Sequence, residues 1–200
     1  MDCTSLQLEE MLKKEWLETN GLGGYASSTI LGANTRKYHG LLVASLNPPT
    51  DRKVLIAKIE EKVLVANSAY EISVNQYPGT IHPHGYQYLQ SFKRKPIPTW
   101  HYKTDKWELL KKTFMVPNSN TTVVVYEHNG ETDVVLELHP LMEFKDYHWT
   151  MRQNDFDFYY EKLKSGIKIY PFPNSLPIYM GWSKGDFLED RAWFYNIELP

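Results

Sequence analysis

From Tyr38 onward the chain alternates short apolar runs with polar, turn-forming breaks. Leu41–Leu46, Val54–Ile59 and Val63–Val65 are rich in branched residues and too short for ordinary helices. Tyr70–Val74, Tyr88–Lys93, Thr99–Thr104, Trp107–Val116 and Thr121–His128 continue the series. Val134–Leu138, Tyr159–Leu163, Ile167–Tyr170, Ile178–Met180 and Trp193–Leu199 complete it. The breaks carry turn chemistry: Asn67-Ser68-Ala69, Lys103-Thr104-Asp105-Lys106, Pro117-Asn118-Ser119-Asn120, Asn129-Gly130 and Ser165-Gly166. Asn-Gly suits a tight hairpin, so Val123–His128 is expected to pair with Val134–Leu138. Leu6, Leu8, Met11 and Leu12 within Ser5–Lys14 allow one or two helical turns. No long amphipathic helix follows, and a parallel sheet would need such helices as crossovers. About a dozen short strands with regular turns predict an all-β chain, its antiparallel sheets packed as a large sandwich.

The length of 200 residues suits one large domain, 1–200, able to bury a substantial core. A net charge of −2 argues against a nucleic-acid partner, and the basic patches Lys93-Arg94-Lys95 and Lys111-Lys112 are short enough to be solvated faces. The single cysteine, Cys3, excludes an intrachain disulfide and fits a reducing cytoplasm. No apolar run approaches a membrane span, and residues 1–14 lack the pattern of a signal peptide, so a cytoplasmic protein without a membrane partner is expected. The 14 tyrosines and 6 tryptophans supply flat faces with polar edges, which suit sugar rings as well as a β core.

Two stretches concentrate candidate chemistry: Gly21-Leu22-Gly23-Gly24-Tyr25 and Arg36-Lys37-Tyr38-His39-Gly40. Clustered glycines mark positive φ angles or a close backbone approach. Their spacing departs from G-x-G-x-x-G, no helix pattern follows and no Walker lysine is present, so no nucleotide cofactor is assigned. Arg36 offers a planar fork for a carboxylate or paired hydroxyls. Read as a strand, Arg36 and Tyr38 share one face and Lys37 and His39 the other. The same residues also suit a plain Arg–carboxylate tie with a tyrosine capping a sheet end. The histidines are scattered, with His82 and His84 flanking Pro83, and neither H-E-x-x-H nor a cysteine partner suggests a metal. No G-x-S-x-G elbow is present. Glycoside cleavage needs two converging carboxylates. Glu60-Glu61, Asp155/Asp157 and Glu189-Asp190 are pairs that any chain with 24 acidic residues offers, and adjacent strand residues point to opposite faces. No catalytic residue is assigned.

The run Glu15-Trp16-Leu17-Glu18-Thr19-Asn20-Gly21-Leu22-Gly23-Gly24-Tyr25-Ala26-Ser27-Ser28, followed by Asn34–Val43, resembles the opening of the N-terminal domain of bacterial and archaeal glycogen debranching enzymes of the amylo-α-1,6-glucosidase type. Val54–Glu61 is similar to that domain's next strand pair, and Tyr77–Tyr86 to its long loop, with His84 where aspartate is more usual. Leu138-His139-Pro140-Leu141 through Asp146-Tyr147-His148 resembles a late motif, with Lys145 in place of arginine, and Trp193–Pro200 resembles the last strand. The resemblance implies a galactose-mutarotase-like supersandwich. It implies that a C-terminal helical (α/α)-barrel domain holds the catalytic carboxylates, and that the assembled enzyme hydrolyses α-1,6-linked glucose at glycogen branch points. This chain would be the non-catalytic part, inactive alone, supporting the helical domain and shaping the cleft for glycogen or maltooligosaccharide. The candidate cleft or domain-interface residues are Gly23, Gly24, Tyr25, Arg36, Tyr38, His39, Asp146 and His148. A stand-alone carbohydrate-binding module and a purely structural or oligomerising domain are the alternatives. Two placements are also expected. The glycine loop and Arg36–His39 should share one sandwich edge, pointing away from the core. Ile178–Trp182 and Ala192–Ile197 should leave aromatics outward as a docking surface.

Overall fold

In the computed structural model, which describes residues 1–153 and 155–199, the apolar runs become extended strands joined by tight turns. A short helix α1 (Leu8–Lys13) precedes β1 (Glu15–Thr19), β2 (Tyr25–Thr29), β3 (Gly40–Asn47), β4 (Thr50–Val65) and β5 (Ser68–Glu71). There follow β6 (Gln76–Tyr77), β7 (Thr80–Ile81), a 3-10 turn at Gly85–Tyr88, β8 (Leu89–Lys93), β9 (Thr99–Lys103), β10 (Glu108–Met115) and β11 (Thr122–His128). The last strands are β12 (Val135–Asp146), β13 (Tyr159–Leu163), β14 (Gly166–Tyr170) and β15 (Ile178–Gly181). With about 47% strand and 5% helix, the chain is an all-β, sandwich-like protein.

One sheet runs β1-β2-β3-β4-β12, with β5 also on β4; the second runs β11-β10-β9-β8; β13-β14-β15 form a third. All the pairings are antiparallel. Aromatic side chains fill the space between the first two sheets. Trp16 of β1 meets Trp100 of β9 edge-on at 5.2 Å, and Phe92 of β8 lies 5.1 Å from the same ring. The Trp100 indole donates to Ile30 O at 2.7 Å, so its polar edge is satisfied inside the core. Among the described residues, no helix is long and apolar enough to cross a membrane.

Four expectations are corrected. Asn129-Gly130 joins no hairpin: β11 pairs with β10, while β12 pairs with β4 in the other sheet. The twelve-residue β12 has a long partner in β4, and this pairing outweighs the local turn preference. Val54–Ile59 and Val63–Val65 are parts of the single 16-residue β4, because Glu60 and Glu61 between them are buried and paired and do not break the strand. Tyr70–Val74 ends as strand at Glu71, and Ile72–Asn75 continues as buried irregular backbone. Trp193–Leu199 forms no strand; Asn196 at φ 58° interrupts the extended run, and Glu198 N–H donates to Gln76 O at 2.8 Å. Pro200 lies outside the described residues.

Candidate functional site

The glycine loop joins β1 to β2 and is organised by a side chain that the sequence reading passed over. Asn20 Oδ1 accepts from Leu22 N–H at 2.9 Å and Gly24 N–H at 3.1 Å. Its Nδ2 donates to Ser119 O and Asn120 Oδ1, both at 3.0 Å. Asn120 in turn donates to Ser45 O at 2.8 Å and accepts from Ser45 N–H at 3.1 Å. Two of the loop's N–H groups, those of Leu22 and Gly24, are thus spent within the protein. The glycines serve a close approach to other backbone: a Cβ on Gly24 would stand 2.9 Å from Val43 O, and one on Gly23 would stand 2.5 Å from Pro49 O.

Arg36–His39 is a turn ahead of β3, not a strand, so the expected alternation of faces does not apply. Three side chains hold its backbone. Thr35 N–H donates to His39 Nδ1 at 3.2 Å, Lys145 Nζ donates to Lys37 O at 2.9 Å, and the Tyr25 hydroxyl donates to Tyr38 O at 2.7 Å. Burial pushes the Tyr25 phenol up to about 12, so it remains a protonated donor. Lys145, itself buried, also donates to Trp149 O at 3.1 Å, clamping the Arg36–His39 turn to the turn after β12. Glu143 Oε2 lies 3.6 Å from the same ammonium; burial raises the Glu143 carboxyl and Lys145 opposes that rise.

Arg36 and Tyr38 stay exposed. Arg36 Nε meets Glu15 Oε1 at 2.7 Å, a half-exposed pair worth about 0–1 kcal/mol. The Tyr38 hydroxyl is 3.4 Å from His148 Nδ1, and its ring lies 5.6 Å from those of Tyr147 and His148. Arg52 links this cluster to the glycine loop, donating to Gly23 O at 2.6 Å and covering the Tyr147 ring at 5.7 Å. Tyr25, Arg36, Tyr38 and His148 therefore gather around one turn, and Gly23 reaches it through Arg52. Gly24 is buried against Asn20 and Val43, away from solvent. Asp146 accepts from His148 N–H at 3.0 Å and shapes its own turn. His39 points inward at 4% exposure, so the turn is only partly outward-facing.

Beside the turn opens a cleft of about 710 Å³, lined by Glu15, Arg36, Lys37, Tyr38, Thr150 and Leu199 among others. This volume is in the range of small-molecule sites, and the lining mixes charged forks, amide and hydroxyl groups with one aromatic ring. Among the described residues, no three His, Cys, Asp or Glu side chains converge as metal ligands would. Glu60 and Glu61 diverge, as neighbours on a strand must. Glu60 meets Lys58 at 3.0 Å and accepts from Asn75 Nδ2 at 2.9 Å, whereas Glu61 meets Lys111 at 2.6 Å and accepts from the Tyr126 hydroxyl.

His39 gives the turn a pH dependence. Its Nδ1 accepts from Thr35 N–H, which places the neutral ring's proton on Nε2, 3.3 Å from Glu15 Oε1 but off hydrogen-bonding alignment. Burial lowers the imidazole below its usual 6.5, with Glu15 opposing. A base with a depressed folded-state pKa contributes stability above its unfolded pKa and loses it as pH falls. Stability relative to a His39→Gln variant should therefore decline as pH is lowered from 6.5, measured by urea unfolding at several pH values. A difference constant across that range would contradict the assignment.

No curated protein and no solved structure matches the chain. The family described as "Glycogen debranching enzyme N terminal" matches residues 14–200, from the end of α1 through all the strands of the three sheets. The chain that builds this turn and cleft therefore belongs to the family of glycogen debranching enzyme N-terminal domains.

Proposed function

We propose that this domain serves a cytoplasmic glycogen-debranching α-1,6-glucosidase as a non-catalytic support, shaping the α-glucan cleft next to a helical catalytic domain. The observation that carries this reading is the turn with its backbone anchored, presenting Arg36, Lys37 and Tyr38 to the 710 Å³ cleft. Donors and acceptors of both charge signs around an aromatic ring, with Lys13, Arg36 and Lys37 set against Glu9 and Glu15, suit an uncharged, polyhydroxylated chain. The helical domain would dock where apolar side chains stand in solvent, at Leu176, Tyr179, Leu188, Phe194 and Tyr195.

Incubated with branched limit dextrin, the chain alone should release no more glucose than a heat-killed control; clear turnover would overturn the non-catalytic reading. In the enzyme with both domains, Tyr38→Ala should raise KM for branched dextrin several-fold with unfolding unchanged, and an unchanged KM would remove Tyr38 from the cleft. The exposed Trp149, at 70%, near Tyr38 favours a second reading as a binding module. Saturable affinity of the isolated chain for maltooligosaccharide, lost in Trp149→Ala, would select that reading.

A further inference from the structure

Between the first two sheets lies a second, much smaller cavity of about 30 Å³. Its walls include Trp16 of β1, Ser28 of β2, Lys58 and Glu61 of β4, Ser73, and Lys111 of β10. Trp16 is 4% exposed, and its Nε1–H meets no protein acceptor among the described residues. A buried N–H without a partner is strongly disfavoured, so its surroundings must supply an acceptor.

The neighbouring groups define what that acceptor can be. The Ser28 hydroxyl already donates to Asn34 Oδ1 at 2.8 Å. The Lys58 ammonium donates to Val74 O and Asn75 Oδ1 at 2.8 Å and meets Glu60 at 3.0 Å, which uses its three protons. Ser73 Oγ accepts from Glu61 N–H at 2.7 Å, leaving its own hydroxyl hydrogen to donate. Lys111 and Tyr126 both meet Glu61 at Oε1, which leaves Oε2 for a further donor. The cavity wall thus combines surplus donors, the Trp16 indole and the Ser73 hydroxyl, with a carboxylate acceptor.

We infer that this cavity is a binding site for a resident water molecule, which accepts from Trp16 Nε1–H and donates to the Glu61 carboxylate. A water needs roughly 10–15 Å³ of such space and two to four polar partners, both of which the cavity provides. An anion would face the Glu61 carboxylate. A cation would face Lys58, Lys111 and the positive edge of the indole. Only a small neutral molecule that both accepts and donates satisfies both sides. Bound there, the water would hydrate the Glu61–Lys111 pair where the sheets meet.

The test is a crystal structure of the chain at a resolution that shows ordered water, with a second crystal soaked in bromide. The expected result is a density peak within hydrogen-bonding distance of Trp16 Nε1 and of a Glu61 carboxylate oxygen, without anomalous signal after the soak. The peak should be lost in Trp16→Phe. If that variant does not fold, magnetisation transfer from a long-lived water to the Trp16 indole proton in the unaltered chain takes its place. A cavity without density, a bromide peak inside it, an indole bonded to a protein acceptor, or no transfer would each overturn the assignment.

Discussion

Gly23→Ala is expected to destabilise the protein by about 3 kcal/mol, the largest loss from adding one methyl group to the glycine loop. Gly23 sits at φ +94°, where an L side chain costs roughly 1–2 kcal/mol. The added Cβ would also stand 2.5 Å from Pro49 O and 3.0 Å from Pro49 C and Cα. These are backbone atoms of the β3–β4 turn, so no rotamer change relieves the clash, and overpacking adds about 1–3 kcal/mol. The strain would travel, because Gly23 O holds Arg52 and Arg52 covers Tyr147 beside Tyr38. Gly32→Ala is the control: Gly32 has φ +70° with nothing near its missing Cβ, so only the backbone term applies. Urea unfolding should show Gly23→Ala losing clearly more than Gly32→Ala. Equal losses would mean the Pro49 contact gives way.

The features legible in the sequence were those encoded locally. Turn chemistry at Lys103–Lys106, Pro117–Asn120 and Ser165-Gly166 joins the β9–β10, β10–β11 and β13–β14 hairpins as expected. Asn129-Gly130 misled because strand partnering is a long-range competition: Val135 to Asp146 align along β4, some 70 to 95 positions earlier in the chain. The strands flanking the glycine loop were missed for another reason. Glu15–Thr19 is half charged or polar and Tyr25–Thr29 is mostly Ala, Ser and Thr, so neither shows a strong apolar alternation.

At the candidate site, Arg36, Tyr38 and His148 were identified through the motifs that carry the family resemblance. The residues that hold the turn were not. Lys145 acts on Lys37 across 108 positions, and Asn20 acts on Asn120 across 100. A lone lysine or asparagine in a polar stretch reads as a surface residue, and only burial reveals its bonds. One signal was available: Lys58 lies between Ala57 and Ile59 in an otherwise apolar run, and a charge in that setting needs a partner.

Lys58 is the other position where one substitution should have a large effect. The residue is 8% exposed, and its ammonium donates to Val74 O and Asn75 Oδ1 and meets Glu60, itself 8% exposed. Lys58→Met would leave a buried carboxylate without its cation and two carbonyl oxygens without a donor. Removing one member of a buried pair costs about 3–5 kcal/mol. Removing both charges is a different change. Burial holds the Lys58 ammonium below its usual 10.5 even with Glu60 opposing, so the pair does not fully offset the desolvation of its cation. The double variant Lys58→Met/Glu60→Gln keeps an amide oxygen for Asn75 Nδ2 and leaves no buried charge at this position. It should therefore be more stable than Lys58→Met alone, a coupling that a double-mutant cycle reads directly. Unfolding curves for the four proteins decide the matter: losses that simply add would show that Glu60 is held by Asn75 and not by Lys58.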